Sequence, residues 1–228
     1  MNIMKNPNKR IIIYYQTLIS LQPIINILNT KTTWFSLFSN QNLLSDITLA
    51  SIHFGFNDDN TPYIHLNNDV PTSNKFISVY NELKTIKKYD VQINLLIGGA
   101  GSAFTDLFNK YNIFYPLLKS TITNTLEFID GFNLDIEEEV TFDNIVKLVN
   151  NLKSDFPNKQ IIFAPLSNSL ATDEPGMGGF SYKELDNKIG HLISYYNVQC
   201  YGDYSLDLFN KMVNNGYLPE KIVMGMLT

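Results

Sequence analysis

The chain has 228 residues, 44% hydrophobic and 17% charged, the composition of a globular chain with a sizeable core and not of a disordered one. Its formal charge is −5 and no Lys/Arg run occurs, so nucleic acid is not an expected partner, because phosphate binding needs clustered cations. The densest basic spot, Lys84 with Lys87 and Lys88, reads as the solvated face of a helix.

The polar, Asn/Lys-rich N-terminus is expected to be extended or disordered over residues 1–9. The apolar run Ile11–Tyr15 is too short for a signal-peptide core, and no stretch approaches the ~20 apolar residues of a membrane span. No membrane contact and a cytoplasmic setting are the expectations. Ile11–Gln16 reads as a first strand, Pro23–Leu44 as a partly helical excursion containing Trp34, and Ile47–Phe56 as a second strand. Asn74–Lys88 carries apolar residues at helical spacing. Val91–Ile97 is a third strand ending in Gly98-Gly99, and the helix after it is expected to break near Pro116 and resume over Leu117–Phe128. Asp130–Glu137 is the fourth strand. Phe142–Asp155 is helical, with Ile145, Leu148, Val149 and Leu152 on one stripe, and Pro157 stops it. Gln160–Pro165 is a fifth strand, Ser167–Phe180 a loop long enough to rim a site, and Tyr182–Ile189 a helix. Leu192–Tyr201, Leu206–Asn215 and Lys221–Met226 complete the pattern as strand, helix and strand.

Strands alternating with helices at this spacing imply parallel pairing and right-handed crossovers. The expected fold class is α/β, a TIM-type (β/α) barrel in a single domain over residues 1–228, apparently lacking the eighth strand. In such barrels the chemistry lies at the C-terminal ends of the strands, where Gly98-Gly99, Glu137 and Tyr201 fall.

One of these strands carries chemistry. In Asp130-Gly131-Phe132-Asn133-Leu134-Asp135-Ile136-Glu137 the alternation of a strand projects Asn133, Asp135 and Glu137 to one face and Phe132, Leu134 and Ile136 to the other. Two carboxylates two residues apart lie roughly 6–7 Å apart, close enough to perturb each other. Holding such a pair in an interior is costly, which points to acid–base work. Glu138 and Glu139 read as a solvated rim. The single Cys200 excludes an internal disulfide and reads as a small buried hydrophobe. His53, His65 and His191 are scattered and read as surface or core residues, so no metal and no other cofactor is expected. Trp34 reads as core or rim packing.

The stretch Asp130–Glu137 resembles the Asp-Gly-x-[Asp/Asn]-x-Asp-x-Glu signature of glycoside hydrolase family 18, in the Asp-Ile-Glu form of the plant class III chitinases. Ile97-Gly98-Gly99, Ala164-Pro165 and Gln199-Cys200-Tyr201 resemble the family's third, fifth and sixth strand ends, and Tyr14-Tyr15-Gln16 and Gly225 its first and seventh. The resemblance implies a chitinase that cleaves β-1,4-linked N-acetylglucosamine polymers by substrate-assisted retention. It implies Glu137 as general acid/base, Asp135 as the acceptor of the acetamide N–H, and Tyr201 as the orienter of the acetamide oxygen. Asp130, Asn133 and Gln199 would support them, and Gly98, Gly99 and Tyr15 would meet substrate. Asp135 is expected to raise the pKa of Glu137.

Three departures from the family pattern stand out. Asn133 replaces the middle Asp, which lowers the charge of the array. Leu96 replaces a Ser, and the chain reaches Thr228 before an eighth strand, leaving an open edge that self-association would cover. Two other readings use the same barrel: an endo-β-N-acetylglucosaminidase acting on N-glycans, and a lectin-like or degenerate member without turnover.

Overall fold

A computed structural model describes residues 10–30 and 44–227. Trp34 and part of the expected excursion lie outside the described residues. The elements run β1 (Ile11–Tyr15), α1 (Gln22–Thr30), β2 (Leu44–Phe56), β3 (Pro62–Leu66), α2 (Ile77–Ile86), β4 (Gln92–Gly98), α3 (Ala103–Asn109), α4 (Tyr111–Asn124), β5 (Gly131–Asp135), α5 (Phe142–Asp155), β6 (Gln160–Phe163), α6 (Ser167–Ala171), α7 (Tyr182–Ile189), β7 (Tyr195–Gln199), α8 (Leu206–Asn214) and β8 (Ile222–Gly225). Seven strands pair in parallel in the order β1-β2-β4-β5-β6-β7-β8, and β3 pairs antiparallel with β2 off this path. This is the expected TIM-type architecture lacking a strand: among the described residues nothing bridges β8 and β1.

Hydrogen bonds across the interior prove that the sheet rolls up. In a flat sheet β1 and β7 would lie five strand spacings apart, roughly 24 Å. Instead, the Asn197 Nδ2 on β7 donates to the Tyr14 hydroxyl on β1 at 2.6 Å, and the Asn133 Nδ2 on β5 donates to the same oxygen at 2.8 Å. Nearer the N-terminal ends of the strands, Asp46 Oδ1 on β2 accepts from Asn94 Nδ2 at 3.0 Å and from the Tyr195 hydroxyl at 3.2 Å. Arg10 stands 3.4 Å from the other oxygen of Asp46 and 4.2 Å above the Tyr195 ring. The interior is therefore built in polar tiers, each amide or carboxylate buried with partners from distant strands.

The apolar layer lies outside this barrel. Ile93, Leu95 and Ile97 of β4 and Phe132, Leu134 and Ile136 of the β5 segment are buried against the surrounding helices. α5 follows its predicted bounds, with Thr141 Oγ1 capping it by accepting from Asn144 N and with Ile145, Leu148, Val149 and Leu152 buried. α7 also matches its expected bounds.

Other expectations need correction. The helical break falls at Lys110, not at Pro116, which sits inside α4. Pro116 and Asn112 are both exposed, so water can serve the Asn112 carbonyl that the proline leaves without an N–H partner. Lys87 does not belong to a solvated face: its Nζ reaches Asp130 Oδ1 at 2.8 Å and also donates to the Phe128 carbonyl. The hairpin strand β3 escaped the sequence reading. Its signal was the alternating Tyr63-Ile64-His65-Leu66 after the polar turn Asn57–Asn60, with Ile64 and Leu66 buried.

Candidate active site

β5 delivers its last inward side chain, Asp135, to the C-terminal mouth of the barrel, and Glu137 follows two residues beyond the strand end. Asp135 is 9% exposed. Gln199 at the end of β7 reaches over β6 to hold it: Nε2 donates to Asp135 Oδ1 at 3.0 Å and to the Ala164 carbonyl at 2.9 Å. Burial pushes the Asp135 carboxyl up to about 7, and the charge of Glu137 adds to the rise. Asp135 is the member of the pair that the barrel wall encloses.

Glu137 is half-buried at the mouth and makes no hydrogen bond to another side chain among the described residues. Tyr201 lies beside the pair. Its phenol is raised by burial and then by the charges of Asp135 and of Glu137, which brings it within electrostatic reach of both. At 54% exposed, its ring remains open to the mouth.

Gly98 and Gly99 form the wall next to Asp135. Gly98 has φ +96°, and a Cβ on it would come 2.2 Å from the Asp135 carbonyl oxygen and 2.5 Å from the Phe104 ring. The Gly99 N–H donates to the same carbonyl at 2.9 Å. Both the turn and the close approach therefore require glycine at 98.

Of the other residues singled out from sequence, Asn133 sits one tier below Asp135, donating to Tyr14, while its Oδ1 is buried without a partner. Asp130 lies at the opposite end of β5, where it accepts from Lys87 and, at 2.8 Å, from Ile93 N. It anchors the strand and does not reach the mouth. Tyr15 does not face the interior: it is 4% exposed, and its hydroxyl donates to the Ile19 carbonyl. Its neighbour Tyr14 points inward instead, since adjacent strand residues face opposite sides. Part of the Tyr14 ring is exposed, yet its hydroxyl is enclosed by two amides. Burial there, with Asp135's charge, holds its ionisation above the ordinary phenol range.

Glu138 also departs from expectation. It is not a free rim residue, because its Oε1 accepts from Phe104 N at 2.5 Å and caps α3. Glu139 is exposed. The segment Ser167–Phe180 begins as the short helix α6, and its remainder packs on the chain just after Glu137, with Val140 N donating to the Gly178 carbonyl at 3.0 Å. Cys200 is buried, and its thiol is pushed up to about 11 by that burial. Among the described residues no group of three or more His, Cys, Asp or Glu could hold a metal ion, and no helix is long and apolar enough to cross a membrane.

Fold and mouth together define a TIM-type (β/α) barrel lacking a strand, with a carboxylate pair at the C-terminal ends of its strands. No protein-family model matches the sequence, and no curated protein matches it. Solved structures do, and the likeness to glycoside hydrolase family 18 extends over the whole fold. A chitinase, ChiC, from Aspergillus fumigatus aligns with a TM-score of 0.78 at 25% identity, over 93% of this chain and 76% of that one. A fungal endo-β-N-acetylglucosaminidase of glycosyl hydrolase family 18 gives 0.73 at 26% identity, over 93% and 75%. A family 18 chitinase from Pseudoalteromonas aurantia gives 0.66 at 19% identity, over 95% and 79%, a likeness of fold alone. These similarities support a glycoside hydrolase function.

Proposed function

We propose that the protein is a chitinase-type glycosidase that hydrolyses β-1,4-linked N-acetylglucosamine chains, with Glu137 as general acid/base. The observation that carries the reading is the enclosed Asp135, held by Gln199, beside the open Glu137 and Tyr201 at the mouth of the barrel.

In the first step Glu137 gives its proton to the glycosidic oxygen. The bond from that oxygen to the anomeric carbon breaks, and its electron pair leaves with the departing sugar. The acetamide oxygen of the retained sugar attacks the anomeric carbon from the other side, giving an oxazolinium ion. Asp135 accepts the acetamide N–H and stabilises the positive charge that develops there. Tyr201, reaching into the mouth, donates to the acetamide oxygen and sets its angle of attack. In the second step the Glu137 carboxylate takes a proton from water, the water oxygen bonds to the anomeric carbon, and the oxazolinium ring opens with retained configuration. Gln199 and Gly98-Gly99 position Asp135 and do not touch substrate in this scheme.

The test is release of a fluorogenic leaving group from a chitooligosaccharide by wild type and by Glu137→Gln. Turnover by wild type and a fall of about 10²-fold or more in the variant is the expected outcome. No turnover by wild type, or equal turnover by both, sinks the proposal. The endo-β-N-acetylglucosaminidase reading uses the same residues and draws on the second of the structures above. Comparing chitooligosaccharides with a high-mannose glycopeptide separates the two.

A further inference from the structure

One asparagine ties the loop between α6 and α7 to a neighbouring helix. Asn215 caps the C-terminal end of α8. Its Nδ2 donates to the Leu170 carbonyl at 2.7 Å and to Asp173 Oδ1 at 2.7 Å, so both amide hydrogens are committed. Asp173 is held at φ +61°, in the left-handed region that side-chain-bearing residues seldom enter. The bond to Asn215 helps hold that conformation.

From Asp173 the loop runs on to the segment around Glu137. The Gly178 carbonyl accepts from Val140 N at 3.0 Å. A Cβ on Gly178 would stand 3.0 Å from Ile136 Cγ2, and one on Gly179 would stand 3.4 Å from Glu139 Cγ. The loop therefore packs on both sides of Glu137, and Asn215 anchors its other end.

Asn215 is followed by Gly216, the one Asn-Gly pair in the chain. This dipeptide is the setting that shields an asparagine amide least, because glycine puts no Cβ in the way when its nitrogen attacks the side chain. Gly216 is exposed and sits at φ +97°, a turn conformation that favours glycine. In the closed turn the Gly216 N–H donates to the Val213 carbonyl at 2.9 Å, and the Asn215 amide is held by its two acceptors. The reaction therefore proceeds from the locally opened turn, and exposed turns open with little free energy.

We propose that Asn215 is a deamidation site whose conversion releases the loop over residues 172–180 from α8. The Gly216 nitrogen bonds to Asn215 Cγ, the Cγ–Nδ2 bond breaks, and ammonia leaves with the proton that the glycine nitrogen carried. Water then opens the cyclic imide at either carbonyl, leaving aspartate or isoaspartate at position 215. A double donor becomes a carboxylate facing the Asp173 carboxylate and the Leu170 carbonyl, three acceptors with no hydrogen among them. Lys183, which lies at this turn, is already engaged: its Nζ donates to the Asn215 carbonyl and stands 5.0 Å from the Tyr217 ring centroid. The chain thus carries a one-way device that loosens its own loop with age. The loss of turnover that follows, through the packing around Glu137, rests on the glycosidase reading above.

Ageing the full chain at mildly alkaline pH, with peptide mass spectrometry at intervals, tests the site. Asn215 is expected to convert before any other asparagine. Asn215→Asp reads the consequence. Cleavage after the exposed Glu174 by a glutamate-specific protease should quicken about tenfold in this variant. Its melting temperature should fall by roughly 3–8 °C. Adding Asp173→Asn sets an amide opposite the new carboxylate and should restore most of both, a rescue that a merely misfolded variant would not show. Other asparagines converting as fast, Asn215→Asp cleaved and melting as wild type does, or a double variant no better than the single one, each overturns the proposal. These readouts do not use hydrolysis, so their failure leaves the glycosidase reading intact. Turnover by Asn215→Asp equal to that of an active wild type overturns the link to Glu137, and no turnover by wild type overturns the glycosidase reading alone.

Discussion

Gln199 bonds simultaneously to the Asp135 carboxylate at 3.0 Å and to the Ala164 carbonyl at 2.9 Å, so the end of β7 fixes a carboxylate on β5 across the intervening strand. The same enclosure that fixes Asp135 also raises its pKa to about 7. Position and protonation of this group therefore have one physical origin.

That origin gives a stability prediction. The unfolded value of an Asp is about 3.9, and the folded value is raised, so the favourable contribution is fully present below about pH 4 and is lost as pH rises through about 7. Asp135→Asn removes the titration and keeps an oxygen for Gln199 to donate to. Its melting temperature should vary less than that of wild type between pH 4.5 and 8, and should equal or exceed wild type at pH 8. Turnover should fall about 10²-fold or more. Thermal denaturation across that pH range checks the first point, and a wild-type profile that rises with pH through this window would contradict it.

Gly98 and Gly99 should respond differently to alanine. Gly98→Ala meets the Asp135 carbonyl at 2.2 Å in a backbone at φ +96°, whereas Gly99→Ala has its nearest neighbour, Asp135 Oδ2, at 3.9 Å and bears only the strain of φ +83°. The expected losses are more than about 3 kcal/mol for Gly98→Ala and about 1–2 kcal/mol for Gly99→Ala. Urea unfolding measures both, and similar values would show that the close approach carries little weight.

Tyr201→Phe isolates the hydroxyl. The ring is more than half exposed, so stability should stay within about 0.5 kcal/mol. Turnover should drop about 10- to 100-fold through kcat, with KM little changed, because the hydroxyl acts on the attack and not on binding. Steady-state kinetics on a chitooligosaccharide would expose a pure KM effect if the residue only binds.

Asn133→Asp restores a carboxyl in the tier below Asp135. An added negative charge beside a buried acid favours the protonated form, so the basic limb of the pH–rate profile should move to higher pH. Tyr14, whose hydroxyl now accepts from Asn133, can donate to the new carboxylate, which keeps the tier bonded. A profile that stays in place or moves toward acid would show that Asn133 is electrostatically separate from the pair.

Much of the plan was legible from residue order. The spacing of Asn133, Asp135 and Glu137, the seven parallel strands and the helices over Phe142–Asp155 and Tyr182–Ile189 all follow from local rules: side-chain alternation in strands, apolar stripes and caps in helices. What local rules miss is phase and long-range pairing. Tyr14 and Tyr15 are equivalent in composition, and only the register of β1 against β2 sends one hydroxyl to Asn133 and the other to Ile19. Lys87 looked solvated until Asp130, forty-three residues later, closed on it.

By itself, then, the sequence determined the fold class and the pairing of two carboxylates on one strand, because a strand's alternation projects Asp135 and Glu137 to the same side whatever surrounds them. Only the tertiary structure decided which of the two is enclosed and that Gln199 holds it. Burial and cross-strand contact depend on residues tens of positions apart, and those distances exist only once the sheet has rolled up.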